Sequence, residues 1–181
     1  MNKSKVRTKI LKFRRENFNK NLKINLDKFI SFLKINIRNA KKIGGYYPSN
    51  YEIDDLEILD VLDKQNFKIS LPIIKKNNQM NFYSWSKKDP LKLNKFGIPE
   101  PVSSKILYPD ILLVPLVGYD KNLNRLGYGG GFYDRYIEKI DKIKKVTKIG
   151  LAFSYQKITS IPINQYDKKL DFIVTEKEIV K

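Results

Sequence analysis

The chain has 181 residues, 41% of them hydrophobic and 12% aromatic, which suits one globular domain rather than disorder. It holds no cysteine and no histidine, excluding a disulfide framework, thiolate or Ser-His-Asp catalysis, and zinc sites built on imidazole or thiolate. The formal net charge is +17, and residues 1–42 alone hold 14 Lys and Arg against Glu16 and Asp27. From residue 5 to 37, apolar side chains (among them Val6, Ile10, Phe13, Leu26, Phe29 and Leu33) recur at helical spacing without Pro or Gly, predicting one or two basic amphipathic helices. A short strand is expected over 42–47. Ser49 or Asn50 is then expected to cap a helix carrying Ile53, Leu56, Leu59, Val61 and Leu62. Residues 67–74 and 80–86 read as strands, whereas 90–106, broken by Gly97, Pro99 and Pro101, reads as loop. The nearly unbroken apolar run 111–117 fits a strand buried on both faces. A loop over 118–131, a helix over 132–144 and strands over 149–153 and 171–175 complete the chain.

Strands alternating with helices predict an α/β fold: three layers around a mostly parallel sheet, Rossmann-like, with residues 1–181 as a single domain and basic helices at its N-terminus. No apolar run approaches the ~20 residues that span a bilayer, and the basic start lacks the apolar core of a secretory signal, so no membrane partner and a cytoplasmic location are expected. The same acid-poor start is also compatible with a transit peptide. Two accounts of the charge stand side by side: an electrostatic footprint for nucleic acid, or a compositional bias in which Lys, Asn and Ile are all heavily used and Arg is confined to six positions.

The most informative stretch runs from Asp110 to Tyr136. Gly127, Gly129, Gly130 and Gly131 stand between the buried strand and a helix. Glycines let a backbone approach a ligand closely, and a helix beginning just afterwards aims its free N–H groups into the same space. Arg125 adds a cationic fork and Asp134 a carboxylate able to meet a metal ion. In outline this is a phosphate cradle; a tight connection packed with small residues is the alternative. No G-K-[ST] ends the loop and Phe132 stands where a dinucleotide fingerprint needs glycine, so neither of those motifs applies. Arg125 is expected to be a loop charge outside the core.

The segments V-P-L-V-G-Y-D (114–120) and R-L-G-Y-G-G-G-F-Y-D-R-Y (125–136) closely resemble the signature of the 5-formyltetrahydrofolate cyclo-ligases, also called methenyltetrahydrofolate synthetases. Lys3-Ser-Lys-Val-Arg7 is similar to the family's basic N-terminal segment, and Tyr47-Pro-Ser-Asn-Tyr-Glu52 to its folate-contacting turn. Segments 97–101, 150–153 and 167–176 fall in family order, so the resemblance covers nearly the whole chain; Tyr166 stands where many relatives carry His. It implies a fold like the NagB/RpiA/CoA-transferase-like group. The implied activity is conversion of 5-formyltetrahydrofolate to 5,10-methenyltetrahydrofolate with ATP and Mg2+. It further implies ATP contacts from Lys3, Lys5, Arg7 and the loop Arg125, Gly127, Tyr128, Gly129, Gly130, Gly131, Phe132 and Tyr133, with Arg125 catalytic. Tyr47, Glu52 and residues 128–132 would meet the folate, and Asp134 and Asp167 the magnesium. A monomer is expected, and nucleic acid is not expected as a partner. A nucleic-acid-binding protein and a sugar-phosphate isomerase or CoA transferase of similar architecture are the rival readings, but neither accounts for the loop together with Asp134.

Overall fold

The computed structural model describes residues 2–19 and 21–181; Met1 and Lys20, the latter inside the stretch expected to be helical, lie outside the described residues. That stretch is two helices, α1 (Lys3–Glu16) and α2 (Leu26–Asn36). Asn2 and Asn25 divide it by capping: their side chains accept from the Ser4 and Lys28 N–H groups.

The strands β1 (Lys42–Gly44), β2 (Lys68–Ile74), β3 (Met80–Ser84), β6 (Ile111–Pro115), β9 (Thr147–Leu151), β10 (Phe172–Val174) and β11 (Ile179–Val180) form one sheet in the order β11-β10-β9-β6-β1-β2-β3. Its five inner strands are parallel; β3 and β11 close the two edges antiparallel. The period-two alternation of strands explains the layering. Ile111 and Leu113 join Ile43, Ile69 and Ile149 under α2 and α3 (Leu56–Lys64), while Leu112 and Val114 face Phe82, Ile173 and the helix α4 (Phe132–Asp141) on the other side. Gly44 is needed at one close approach, since a Cβ there would lie 2.8 Å from the Phe82 ring. The α/β three-layer expectation therefore holds. Among the described residues, no helix is long and apolar enough to cross a membrane.

Several local expectations are corrected. The strand expected over 42–47 stops at Gly44, because the chain then turns to bring the Tyr46 N–H onto Asp55 at 2.9 Å. The next helix starts at Leu56 after Asp55; Ser49 and Asn50 do not cap it, and Ser49 instead donates its N–H to Glu52 at 2.7 Å. Residues 90–106 are not all loop: β4 (Leu91–Leu93) and β5 (Pro99–Pro101) pair as a hairpin. Its turn is held by Asn94, whose side chain accepts from Phe96 and Ile98, with Gly97 at φ +72°. Prolines are tolerated in such a two-stranded edge, so as breakers they mislead. The 118–131 loop contains a second hairpin, β7 (Gly118–Tyr119) with β8 (Arg125–Leu126), whose turn is tied by Asp120 to the Asn122 and Asn124 N–H groups. Helix α1 rests on this hairpin rather than on the sheet: Val6 and Ile10 pack with Val117, Leu126 and Ile161.

Candidate active site

The sheet reverses its winding between β1 and β6. From β1 the chain crosses by way of α3 to β2 on one side, and from β6 by way of α4 to β9 on the other. A crevice opens outside the carboxyl ends of strands at such a reversal. Both segments singled out in the sequence leave from these two ends: Tyr46 to Glu52 follows β1, and the glycine loop follows β6. They line one cleft of about 1460 Å³ together with Lys3 and Arg7 of α1 and Asp167. Pockets for one drug-sized ligand run to roughly 300–1000 Å³, and this cleft is larger.

The loop side is rich in donors. Gly129 (φ +102°) and Gly131 (φ +65°) hold backbone conformations that disfavour a side chain, and Gly131 is the N-cap of α4 with no side chain to satisfy the first-turn N–H groups. These point into the cleft with the positive end of the helix dipole. Arg7 braces the loop from α1, its Nε donating to the Gly127 carbonyl at 2.7 Å. Arg135 braces it from below, donating to the carbonyls of Gly130 and Asn78. Arg125 is not the loop charge expected outside the core: its side chain is 4% exposed, ion-paired to Asp134 at 2.6 Å, with its guanidinium 5.6 Å from the centre of the Tyr133 ring. It is drawn inward because β8 pins its backbone and Asp134, one turn into α4, supplies the counter-charge. Its Nη1 and the Tyr133 hydroxyl are buried without a partner among the described residues, and both residues line the cleft. Such groups in native proteins are usually met by an ordered water, an ion or a ligand.

The turn side carries Glu52, which accepts from the Ser49 N–H and hydroxyl. Burial pushes its carboxyl above the ordinary range; the Tyr128 hydroxyl, the Ser49 groups and the Arg14 charge oppose that push. A carboxyl group at the wall of such a cleft suits a ligand with paired N–H donors. Tyr47 lines the same wall.

Asp134 and Asp167 come together at one end of the cleft, where the N–H of Lys168 donates to Asp134 Oδ1 at 3.2 Å. Asp134 Oδ1 also takes Arg125, while Asp167 Oδ2 takes Lys3 and the Asn164 N–H. Among the described residues, neither second oxygen accepts a hydrogen bond. Among the described residues no three His, Cys, Asp or Glu form a metal cage. Magnesium seldom needs one, since one or two carboxylates with substrate phosphates suffice. The donor set fits that ion.

Of the residues singled out in the sequence, Lys3, Arg7, Tyr47, Glu52, Asp134, Asp167 and 125–133 share the cleft. Lys5 does not: it is exposed and absent from the lining, because two residues along a helix turn it some 200° away from Lys3. Sequence reasoning gave no role to Arg14, Arg135 or Phe96. Arg135 stood inside the quoted signature; Phe96 had no signal, since its place depends on the unforeseen β4–β5 hairpin, which brings its ring 6.1 Å from that of Phe132.

Comparison with known proteins agrees along the length of the chain. The model of the 5-formyltetrahydrofolate cyclo-ligase family matches residues 1–176. The chain is 35% identical over 140 residues to the 5-formyltetrahydrofolate cyclo-ligase of Haemophilus influenzae, covering 74% of each. The solved structure of Aquifex aeolicus 5,10-methenyltetrahydrofolate synthetase superposes with a TM-score of 0.77 at 31% identity, over 99% of this chain and 92% of that one. The Mycoplasma pneumoniae synthetase structure gives 0.76 at 26% identity, over 98% of this chain and 100% of that one.

Proposed function

Because the chain belongs to the 5-formyltetrahydrofolate cyclo-ligase family, and so converts 5-formyltetrahydrofolate to 5,10-methenyltetrahydrofolate, we propose that its cleft seats the reduced folate against Glu52 and the triphosphate of ATP in the glycine loop. One observation carries this reading. A buried carboxylate and a donor-rich loop carrying Arg125 line the same cleft from the two strand ends at the winding reversal.

The chemistry follows from what the formyl group lacks. Its oxygen is a poor leaving group, so it first attacks the γ-phosphorus of ATP, expelling ADP and leaving a phosphorylated iminium. Nitrogen 10 then attacks the iminium carbon and loses its proton, and phosphate departs as the ring closes. Such transfers depend on alignment and charge neutralisation more than on acid–base groups, which suits a chain without histidine. Arg125 is the catalytic cation, opposite the transferring phosphoryl group. Lys3 and Arg7 hold the outer phosphates, and the N–H groups of residues 127–133 receive their oxygens. Tyr47 and Glu52 fix the pterin, with 128–132 between the two substrates. Asp134 and Asp167 would hold magnesium through their free oxygens, where the ion neutralises triphosphate charge.

The N-terminal helix lines the cleft and the last strand closes one edge of the large sheet, which supports reading residues 1–181 as a single domain; we take it to act as a monomer in the cytoplasm. Basic side chains clustered in a cleft sized for small molecules argue against nucleic acid as the partner. The test is direct: the purified chain, mixed with 5-formyltetrahydrofolate, ATP and magnesium, is expected to generate methenyl absorbance, and omission of ATP to abolish it. Methenyl formation without ATP, or tight salt-sensitive nucleic-acid binding with no turnover, would overturn the reading.

A further inference from the structure

Arg14 is 1% exposed, the most deeply buried cation among the described residues, and it does not line the cleft. It lies one layer behind. From α1 its Nη1 donates to the Leu116 carbonyl at 3.1 Å, just past the end of β6, and its Nη2 donates to the Tyr128 hydroxyl at 2.5 Å. Its guanidinium also lies 5.5 Å from the centre of the Tyr128 ring. A guanidinium can only donate, so it occupies an oxygen lone pair of Tyr128 and leaves the phenolic proton free to point elsewhere. Glu52 stands near that hydroxyl, which helps hold its carboxyl down against burial, and both residues line the cleft. Arginine and phenol thus tie α1 to the end of β6 and to the glycine loop, with the carboxylate of the turn after β1 facing the same cleft.

We propose that Arg14 is a positioning residue for the cyclo-ligase reaction, acting through Tyr128 to lock the glycine loop onto Glu52 and so couple nucleotide-loop geometry to folate binding. The proposal rests on the assignment of Glu52 to the folate. It explains why a cation is buried where it touches neither substrate, at a cost that an apolar side chain would avoid.

The link acts on Glu52 in a definite direction. Around its carboxyl stand Ser49 of its own turn, Asp55 at the start of α3, Tyr46 after β1, Tyr133 of α4, Tyr128 and Arg14. Burial raises the carboxyl, and of these groups Arg14 is the positive charge that restrains it. Weakening the link raises the Glu52 pKa, so the acid limb of kcat/KM for folate moves towards neutral pH.

Two substitutions read this out. Arg14→Met keeps the length of the side chain, and Tyr128→Phe keeps the ring while removing the middle link. Each is expected to raise KM for 5-formyltetrahydrofolate about tenfold and to move the acid limb up by about one pH unit. The double variant should be no worse than the weaker single one, as for residues acting in series. Arg14→Lys should recover part of the loss, since one ammonium reaches Tyr128 but cannot fork to Leu116 as well. Additive losses, or an acid limb that stays in place in folded Tyr128→Phe, would overturn the proposal even if Arg14→Met does not fold. Glu52→Gln separates the two layers of argument. If it leaves folate KM unchanged, the folate assignment falls; the Glu52 carboxyl, titrated by carbon NMR in Tyr128→Phe, then decides the proposal alone. An upward shift supports the lock, and no shift refutes it.

Discussion

Asp55 is fully buried at the start of α3, where Oδ2 accepts the Tyr46 N–H at 2.9 Å and Oδ1 meets no donor among the described residues. Burial holds its carboxyl well above the ordinary range; the Tyr46 bond opposes this, and Asp54 and Glu52 reinforce it. The folded chain therefore keeps a proton that the unfolded chain releases, and stability falls as pH rises from the ordinary carboxylate pKa through the raised one. Asp55→Asn supplies a neutral group of the same shape. Its melting temperature relative to the parent should be more favourable at about pH 8 than at about pH 5, and an equal difference at both would refute the assignment. Individual side chains were legible where they belonged to a motif, as Glu52, Arg125 and Asp134 did. Burial of a charge was not. Nothing in the sequence distinguishes Arg14 from Arg15 or Asp55 from Asp54, because which of two neighbours turns inward depends on helix phase and on partners more than 100 residues away, such as Leu116 for Arg14.

At the scale of elements, the α4 N-terminus depends on Gly131. Its φ of +65° lies in the left-handed region, and an added Cβ would stand 2.8 Å from Arg135 Nη1. Gly131→Ala is expected to lower stability by about 1–2 kcal/mol, measured by denaturant titration. It should also raise KM for ATP more than KM for folate, because the strained residue orients the first-turn N–H groups and leaves the Glu52 turn intact. Parental ATP affinity in that variant would count against the cradle. Elements of strong period were legible: β2, β3, β6 and α4 arise where the apolar pattern puts them. The two hairpins were not, because their strands have only two or three residues and are held by asparagine and aspartate side chains in turns, with no hydrophobic period to betray them.

Over the whole molecule, a net charge of +17 repels itself. Raising salt from about 20 to about 200 mM should therefore raise the melting temperature by a few degrees while raising KM for ATP, since screening relieves repulsion and weakens the pull of Lys3 and Arg7 on a polyanion. Both moving the same way in affinity and stability would refute that account. The strand order itself was beyond the sequence pattern, yet the site depends on it: only the reversal between β1 and β6 sets Glu52 opposite the glycine loop. Helix α1, which brings Lys3, Arg7 and Arg14, is seated on the smallest of the three apolar clusters, away from the sheet. Its detachment would cost far less than global unfolding. The enzyme can then disarm itself by shedding one segment while the sheet survives, and amide deuteration of Lys3–Glu16 should outpace that of Ile111–Pro115 until nucleotide is added.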